Sequence, residues 1–148
     1  MKTRIRILSI ISSTIMVMTL ASLSVQALSA RVLVAKVPFN FYVKDKALPA
    51  GEYRIEAIQV GGSPALKIQS SDGWVTAIVA IRLVSAESHH LESRLVFNRF
   101  GDQYFLSQIQ GFEENSIHTL TRSRVEDALA KRGSTPKHYK VPITGHHQ

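Results

Sequence analysis

The feature of the sequence that most restricts the fold is a period of two in its apolar residues. In the first such run, Val37, Phe39, Phe41 and Val43 occupy alternate positions, so they would point to one side of an extended chain. This pattern is typical of a half-buried β-strand. Pro38 interrupts the run and has no N–H to donate, so we expect this strand at a sheet edge or a bulge at Pro38.

Turn residues separate the strands that follow. Pro49 fixes φ in the first turn, and Gly51 can close that turn in the left-handed region. The next two strands are predicted over residues 53–57 and 65–69, with breaks at 61–64 and 70–73. The side chains expected to point inward are Tyr53, Ile55, Ala57, Leu66 and Ile68.

The longest apolar run, residues 74–84, is apolar on both faces of an extended chain. Val79 and Ile81 would lie on one face, and Trp74 and Ile78 on the other. The β-branched content favours a strand over a helix. A strand that is apolar on both faces is typically a central one, so we expect it to be covered from both sides.

The segment RLVFNRFGDQYFLSQI predicts a β-hairpin that turns at Gly101-Asp102. A short loop there would place Phe97 opposite Leu106 and Arg99 opposite Tyr104, which gives one apolar pair and one cation–π pair. The apolar residues of the hairpin fall on both faces. We therefore expect that it, too, is covered from two sides.

One helix is predicted near the C-terminus. Ser123 and Glu126 form a capping box, in which the Ser123 hydroxyl accepts from the Glu126 amide and the Glu126 carboxylate reaches back to the Ser123 amide. Gly133 is a natural stop. So short a helix persists only when it packs on the sheet. The apolar stripe expected to face the sheet consists of Val125, Ala128 and Leu129.

These elements predict an all-β fold, either an antiparallel β-sandwich or a partly open β-barrel, with one short C-terminal helix. Residues 28–133 would form the β-domain that ends in the helix. Residues 134–148 are basic, lack periodicity and contain two prolines, so we expect a loosely ordered basic tail. The chain has no cysteine, and its stability must therefore come from burial.

The first residues predict export. Three basic residues precede an uncharged apolar stretch over 7–23 and a small-residue cleavage pattern that ends at Ala27. We therefore expect residues 1–27 to be a signal peptide, with a second cleavage site after Ala30, and a periplasmic or extracellular protein. Retention as a membrane anchor is the alternative, although the many Ser and Thr residues of the stretch favour cleavage.

Without that segment the body of the protein is electrically balanced. The chain has 18 Lys and Arg against 11 Asp and Glu, and three of the basic residues lie in the signal. The remaining excess is confined to Lys131, Arg132, Lys137 and Lys140. We therefore expect no nucleic-acid binding, and only a weak contact of the basic tail with anionic surfaces.

No residues match a catalytic or metal-binding motif. His89 and His90 are adjacent rather than four positions apart, so with Glu92 they are interpreted as solvated loop residues. The sequence has no Gly-x-Ser-x-Gly and no cysteine, which excludes a nucleophile elbow and thiol chemistry. We predict no catalytic residue, no metal ligand and no cofactor.

The other titratable candidates have structural interpretations. Asp102 is a turn former in a hairpin tip. Glu113 and Glu114 lie in a loop signal, and Glu126-Asp127 lies in the first helical turn, where acids complement the dipole. His146-His147 would hold a metal only loosely, because the tail is expected to be mobile.

Aromatic residues are the remaining candidates for a binding site. If several lay on one exposed surface, they would form a platform for sugar rings or apolar ligands. The favoured interpretation is that they fill the core or cover the sheet. The five residues are Tyr42, Trp74, Phe100, Tyr104 and Phe112.

A further signal comes from three segments and the helix that follows them. The segments are VPFNFYV, LPAGEY and LVFNRFGDQYFLSQI, and the helix begins with Ser in SRVEDALAK. As a set they resemble a family of small exported bacterial β-proteins of unknown function, over most of the mature chain. The resemblance implies an exported location and an all-β fold. It implies no activity, cofactor or catalytic residue.

The expected function is therefore a non-catalytic exported β-domain, acting as a structural or interaction module of the cell envelope on an unidentified envelope protein or polymer. The alternative is a binding protein for a small apolar or carbohydrate ligand. A pocket lined by aromatic residues would favour the alternative. A filled interior with an exposed apolar strand edge would favour the interaction module.

Overall fold

A computed structural model describes residues 31–85, 92–112 and 116–147. The predicted signal peptide lies outside the described residues. The elements in chain order are β1 Val32–Val37, β2 Phe41–Val43, β3 Lys46–Leu48, β4 Gly51–Val60, β5 Ser63–Ser70, β6 Thr76–Ser85, β7 Arg94–Phe100, β8 Gln103–Gln110, β9 Ser116–Leu120, α1 Arg124–Lys131, β10 Lys137–Pro142 and β11 Gly145–His147.

The strands form one open sheet with the order β10-β7-β8-β9-β6-β5-β4-β1-β11. Every pairing along this path is antiparallel. β2 pairs with β3 and makes a single parallel pair with β8, between Tyr42 and Phe105. The prediction of an all-β fold with one short helix is confirmed. No helix within the described ranges is long and apolar enough to cross a membrane.

Pro38 lies between two strands, where the chain changes partners. β1 pairs with β4 and ends at Val37, whereas β2 begins at Phe41 and pairs with β3 and β8. Val37 and Phe41 are both buried, so the inward pattern continues across the break. The missing N–H of Pro38 therefore removes no hydrogen bond from a ladder.

The two halves of the sheet face a single core. Strands β1, β4 and β5 contribute one set of fully buried side chains, and β7 and β8 contribute the other. The prediction for β4 and β5 is correct for Tyr53, Ile55, Leu66 and Ile68 and wrong for Ala57, which is exposed. The pairing of β1 with β4 stops at Glu56, so none of the described strands lies beside Ala57 on that side.

The hairpin of β7 and β8 has the predicted pairs. Phe97 lies opposite Leu106, and Arg99 lies opposite Tyr104 with its guanidinium carbon 5.3 Å from the ring centroid. Phe97 faces the core, where its ring meets that of Phe41 edge to face. The outer face of the hairpin is also buried, and the expectation of cover from two sides is confirmed.

Helix α1 supplies part of that outer cover. The Ser123 hydroxyl accepts from the Glu126 amide at 2.9 Å, as predicted. The Glu126 carboxylate turns instead to Asn98 on β7 and accepts from its Nδ2 at 2.6 Å. The predicted apolar stripe is wrong, because Val125 and Ala128 are exposed and Glu126 is the buried residue of the helix. A charged hydrogen bond thus holds the helix to the sheet.

The prediction of a loosely ordered tail is wrong. β10 pairs with β7 over six residues, and β11 pairs with β1 over three. Val141 is buried, and the Tyr139 ring meets the rings of Phe39 and Tyr104 edge to face. Between the two strands, Thr144 donates its amide to the Val34 carbonyl at 2.8 Å. The tail therefore supplies the strand at each end of the sheet order, β10 and β11.

Candidate interaction surface

Those candidate metal ligands and catalytic acids that lie within the described ranges are not brought together. His89, His90, Glu113 and Glu114 lie outside the described residues, and Glu92 pairs with Arg94 at 3.2 Å. The backbones of His146 and His147 pair with Leu33 and Val32 in the sheet. Within the described ranges, no group of three or more His, Asp or Glu could hold a metal ion.

The tip of the β7–β8 hairpin is a tight turn. Phe100 pairs with Gln103, so the loop has two residues, and Gly101 takes φ +58°. The Nε of Arg99 donates to the Gly101 carbonyl at 2.7 Å, which ties the turn to the strand. Asp102 is fully exposed and lies 3.7 Å from the Arg99 guanidinium. These contacts give Asp102 the structural role predicted from the sequence.

The five aromatic candidates do not form one platform. Phe100 and Phe112 are buried, and Tyr42 stacks on Phe105. Tyr104 stacks on Phe39 with a centroid distance of 3.9 Å. Trp74 alone among the five is almost fully exposed, at 88%. Trp74 is therefore the aromatic candidate whose ring is accessible to a partner.

β6, which follows Trp74, has a bare outer face. Ala77 and Val79 are buried on the inner face, whereas Ile78 is 59% exposed and Ala80 is exposed on the other. The prediction that this strand is covered from both sides is wrong. It is central in the pairing order, between β5 and β9, but no element of the described chain lies over the outer side of Ile78.

Half of one edge of β6 is also free. Residues 76–80 pair with β5, and residues 81–85 pair with β9 on the opposite edge. No ladder in the described part of the chain extends the β9 edge to residues 76–80. The Ser70 amide donates to the Val75 carbonyl at 2.8 Å, so the odd-numbered residues of this stretch bond to β5. The backbone groups of Ile78 and Ala80 therefore point to the free edge.

Lys46 confirms this direction independently. Its Nζ donates to the Thr76 carbonyl at 2.5 Å from the β2–β3 hairpin, on the side away from β5. Between that hairpin and β6 lies an open groove of about 530 Å³, lined by residues 43–46 and 76–78. We call Trp74, Ile78, this groove and the backbone groups of Ile78 and Ala80 that point to the free edge the β6 edge surface.

The turn that carries Trp74 is held by a network of hydrogen bonds. Asp72 accepts from the Ser70 hydroxyl and, at 3.0 Å, from the Trp74 amide. The Ser70 oxygen accepts from the Val75 amide at 3.0 Å. Gly73 takes φ +81°, which a residue with a side chain rarely adopts. The backbone beneath the exposed indole is thus fixed before any partner arrives.

The Asp72 carboxylate of this turn interacts electrostatically with Tyr53 in the core. The hydrogen bonds from the Ser70 hydroxyl and the Trp74 amide hold the pKa of Asp72 below its ordinary value of 3.8. Burial raises the pKa of Tyr53 above its ordinary value, and the nearby Asp72 carboxylate adds to the shift. Tyr53 donates its hydroxyl to the Pro49 carbonyl at 2.7 Å and pairs with Ser70 across the ladder.

The charged residues of the groove are two lysines and one acid. Lys44 and Lys46 are exposed, and Lys44 has a positive φ of 55°. The one acid of the lining, Asp45, accepts from the Arg124 amide at 3.3 Å. The sequence analysis had named Trp74 as a candidate for an aromatic platform, and the turn residues Ser70, Asp72 and Gly73 were a second signal at this site. They marked a turn before Trp74 without showing that its ring faces solvent.

No known protein family, curated protein or solved structure matches this chain.

Proposed function

We propose that this protein is a non-catalytic, exported β-domain that serves as an interaction module of the cell envelope, and that it binds its partner through the β6 edge surface. The observation that carries the proposal is Trp74, 88% exposed on a turn fixed by hydrogen bonds beside a free strand edge. Exposed aromatic residues on a rigid backbone are typical anchors of protein interfaces.

The energetics of Trp74 support a role in binding. A buried tryptophan removes roughly 150–250 Å² from water. At about 25 cal/mol per Å², covering the ring would contribute about 4–6 kcal/mol before the costs of association. Because the turn is already held by Ser70 and Asp72, little backbone entropy would be lost on binding.

The interior supports an interaction module over the alternative of a small-ligand carrier. The inward positions of both halves of the sheet hold large, fully buried side chains, including Tyr53, Phe41 and Phe97. The aromatic residues that would line a ligand pocket are dispersed or buried. A filled interior beside an exposed apolar edge suits a macromolecular partner.

The basic residues near the C-terminus support a weaker, separate contact with anionic lipid or polymer. The four residues are exposed and lie at the end of α1 and on β10. Attraction through exposed charges is screened beyond about 8 Å at physiological ionic strength, so this contact should weaken with added salt. The residues are Lys131, Arg132, Lys137 and Lys140.

Site-specific photo-cross-linking tests the proposed function. p-Benzoylphenylalanine at position 74 preserves an aromatic ring of similar size, and the same group at position 60 is the control because Val60 is also exposed. We expect one envelope protein to be cross-linked from position 74 and not from position 60. The absence of an adduct from position 74, or identical adducts from both positions, would overturn the proposal.

A further inference from the structure

The free edge of β6 has the geometry to accept another strand. Residues 76–80 span about 17 Å at roughly 3.3 Å per residue. The N–H and C=O groups of Ile78 and Ala80 point away from β5, and the groove beside residues 76–78 is open. An extended peptide laid along this edge would satisfy backbone groups that water satisfies in its absence.

The chemistry of the groove selects the side chains of such a peptide. Lys44 and Lys46 line it, and Arg124 is exposed beside Asp45, whose carboxylate already accepts the Arg124 amide. Acidic residues would therefore be attracted. The outward side chain of Ile78 offers an apolar contact to alternate residues, and Trp74 precedes the strand at one end of the groove.

A second copy of the chain fits this edge poorly. Pairing two β6 edges would bring two grooves that each carry Lys44 and Lys46 into one interface, and like charges at an interface are repulsive. The mature chain also carries an excess of basic residues. An acidic partner meets the same edge without this repulsion.

We infer that the β6 edge surface binds an extended, acidic peptide segment of a partner protein, which adds to the sheet as a strand along residues 76–80 and places apolar side chains against Ile78 and Trp74. This inference rests on the proposed function and deepens it. The backbone supplies most of the contact, while Lys44 and Lys46 set the preference for acidic residues.

The test uses a synthetic nine-residue peptide of alternating Glu and Val and the mature protein. Trp74 is the only tryptophan, so its fluorescence reports binding directly. Two matched peptides serve as controls: one has Lys in place of Glu, and one has N-methyl groups on its five central amides. We expect saturable binding of the first peptide, binding at least about tenfold weaker for the Lys peptide, and none for the N-methylated peptide.

Protein variants locate the binding. Lys44→Glu should weaken binding of the Glu peptide several-fold, whereas Lys36→Glu, on exposed β1 backbone outside the groove, should leave it unchanged. In amide exchange, the bound peptide should slow Ile78 and Ala80 relative to the free protein. Failure of the Glu peptide to bind, or equal binding of its N-methylated form, would overturn the inference.

The two proposals fail in different ways. A specific cross-link from position 74 without binding of the Glu peptide would retain the interaction module and reject strand addition. Absence of the cross-link together with N-methyl-sensitive binding would support the peptide site and reject the envelope partner. Salt dependence provides a further check, because binding that depends on Lys44 should weaken as ionic strength rises.

Discussion

The β7–β8 hairpin and β6 are both apolar on two faces in sequence, yet the structure covers them differently. The hairpin has β10 on one side and β9 on the other, with the core beneath and α1 above. β6 has the core beneath, a partner along only half of each edge and solvent above Ile78. Two-sided apolarity therefore indicates a surface to be covered, but not that the chain itself covers it.

The outer residues of the two regions show the consequence. On the hairpin, Val96, Asn98 and Phe100 are buried. On β6, Ile78 is mostly exposed, and among the described residues no hydrogen bond such as that between Asn98 and Glu126 brings an element over it. The described chain has one helix, and its buried carboxylate commits that helix to the hairpin. The outer face of β6 therefore stays exposed at Ile78, and this is the face that we propose for a partner.

The largest expected difference comes from removing the tail. Truncation after Ser134 removes β10 and β11, with the buried side chain of Val141 and the partly exposed ring of Tyr139, and uncovers one edge of β7. The lost burial contributes about 3–5 kcal/mol. This is a large share of the roughly 5–15 kcal/mol that stabilises a typical domain. We expect the truncated protein to lose most of its cooperative melt, whereas Trp74→Ala should melt like the wild type. A truncated protein that melts within about 2 °C of the full chain would contradict the docked tail.

Truncating one core side chain and one surface side chain to alanine compares the stability of the two regions. Phe97→Ala should reduce the free energy of unfolding by about 3–5 kcal/mol, because it leaves a cavity in the core. Ile78→Ala should reduce it by less than about 1 kcal/mol, since its side chain is mostly in water. Chemical denaturation of the two variants measures both values. Equal losses would mean that the outer face of β6 is covered in solution.

Gly111 and Gly73 both have a positive φ, and substituting each one compares the backbone of the hairpin with that of the Trp74 turn. Gly111 follows β8, and a Cβ there would lie 2.6 Å from the Ser93 hydroxyl oxygen and 2.8 Å from its Cα. Gly73 lies in the Trp74 turn, where the nearest atom would be 3.8 Å away. Gly111→Ala should therefore cost about 2–4 kcal/mol, and Gly73→Ala about 1–2 kcal/mol from φ strain alone. Denaturant midpoints decide the order, and a larger loss for Gly73→Ala would contradict it.

The smallest expected effect is a pH dependence confined to the Trp74 turn. The folded pKa of Asp72 is depressed, so its ionised form stabilises the turn above the unfolded pKa, and this contribution is lost as the pH falls through the folded pKa. Trp74 fluorescence should therefore stay constant from neutral pH down to about 5 and change only below about 4. Asp72→Asn should abolish the transition. A transition centred above about pH 5 would assign it to another group.

Local signals in the sequence were sufficient for the hairpin. A two-residue turn at Gly101 and Asp102 sets the register, so Phe97 and Leu106 could be paired from spacing alone. The capping of α1 by Ser123 is equally local. These contacts depend on residues within about ten positions of one another.

The tail and the β6 edge depended on distant partners. Tyr139 pairs with Phe97, and His146 pairs with Leu33, across separations that no local pattern encodes. The Glu126 carboxylate was expected to bond to the Ser123 amide, but it accepts from Asn98 on β7 instead. The exposure of Trp74 could not be predicted for the same reason, because an apolar run does not show which of its faces another element covers.

Amide hydrogen exchange at Ile78 measures whether this edge of β6 is free in solution. If the β9 edge of residues 76–80 is free, the Ile78 amide has no partner and should exchange at least about 100-fold faster than the Val79 amide, which faces β5. The Phe97 amide, within the covered hairpin, should be as slow as that of Val79. Protection of Ile78 equal to that of Val79 in the isolated monomer would show that this edge is already occupied, and would contradict the account.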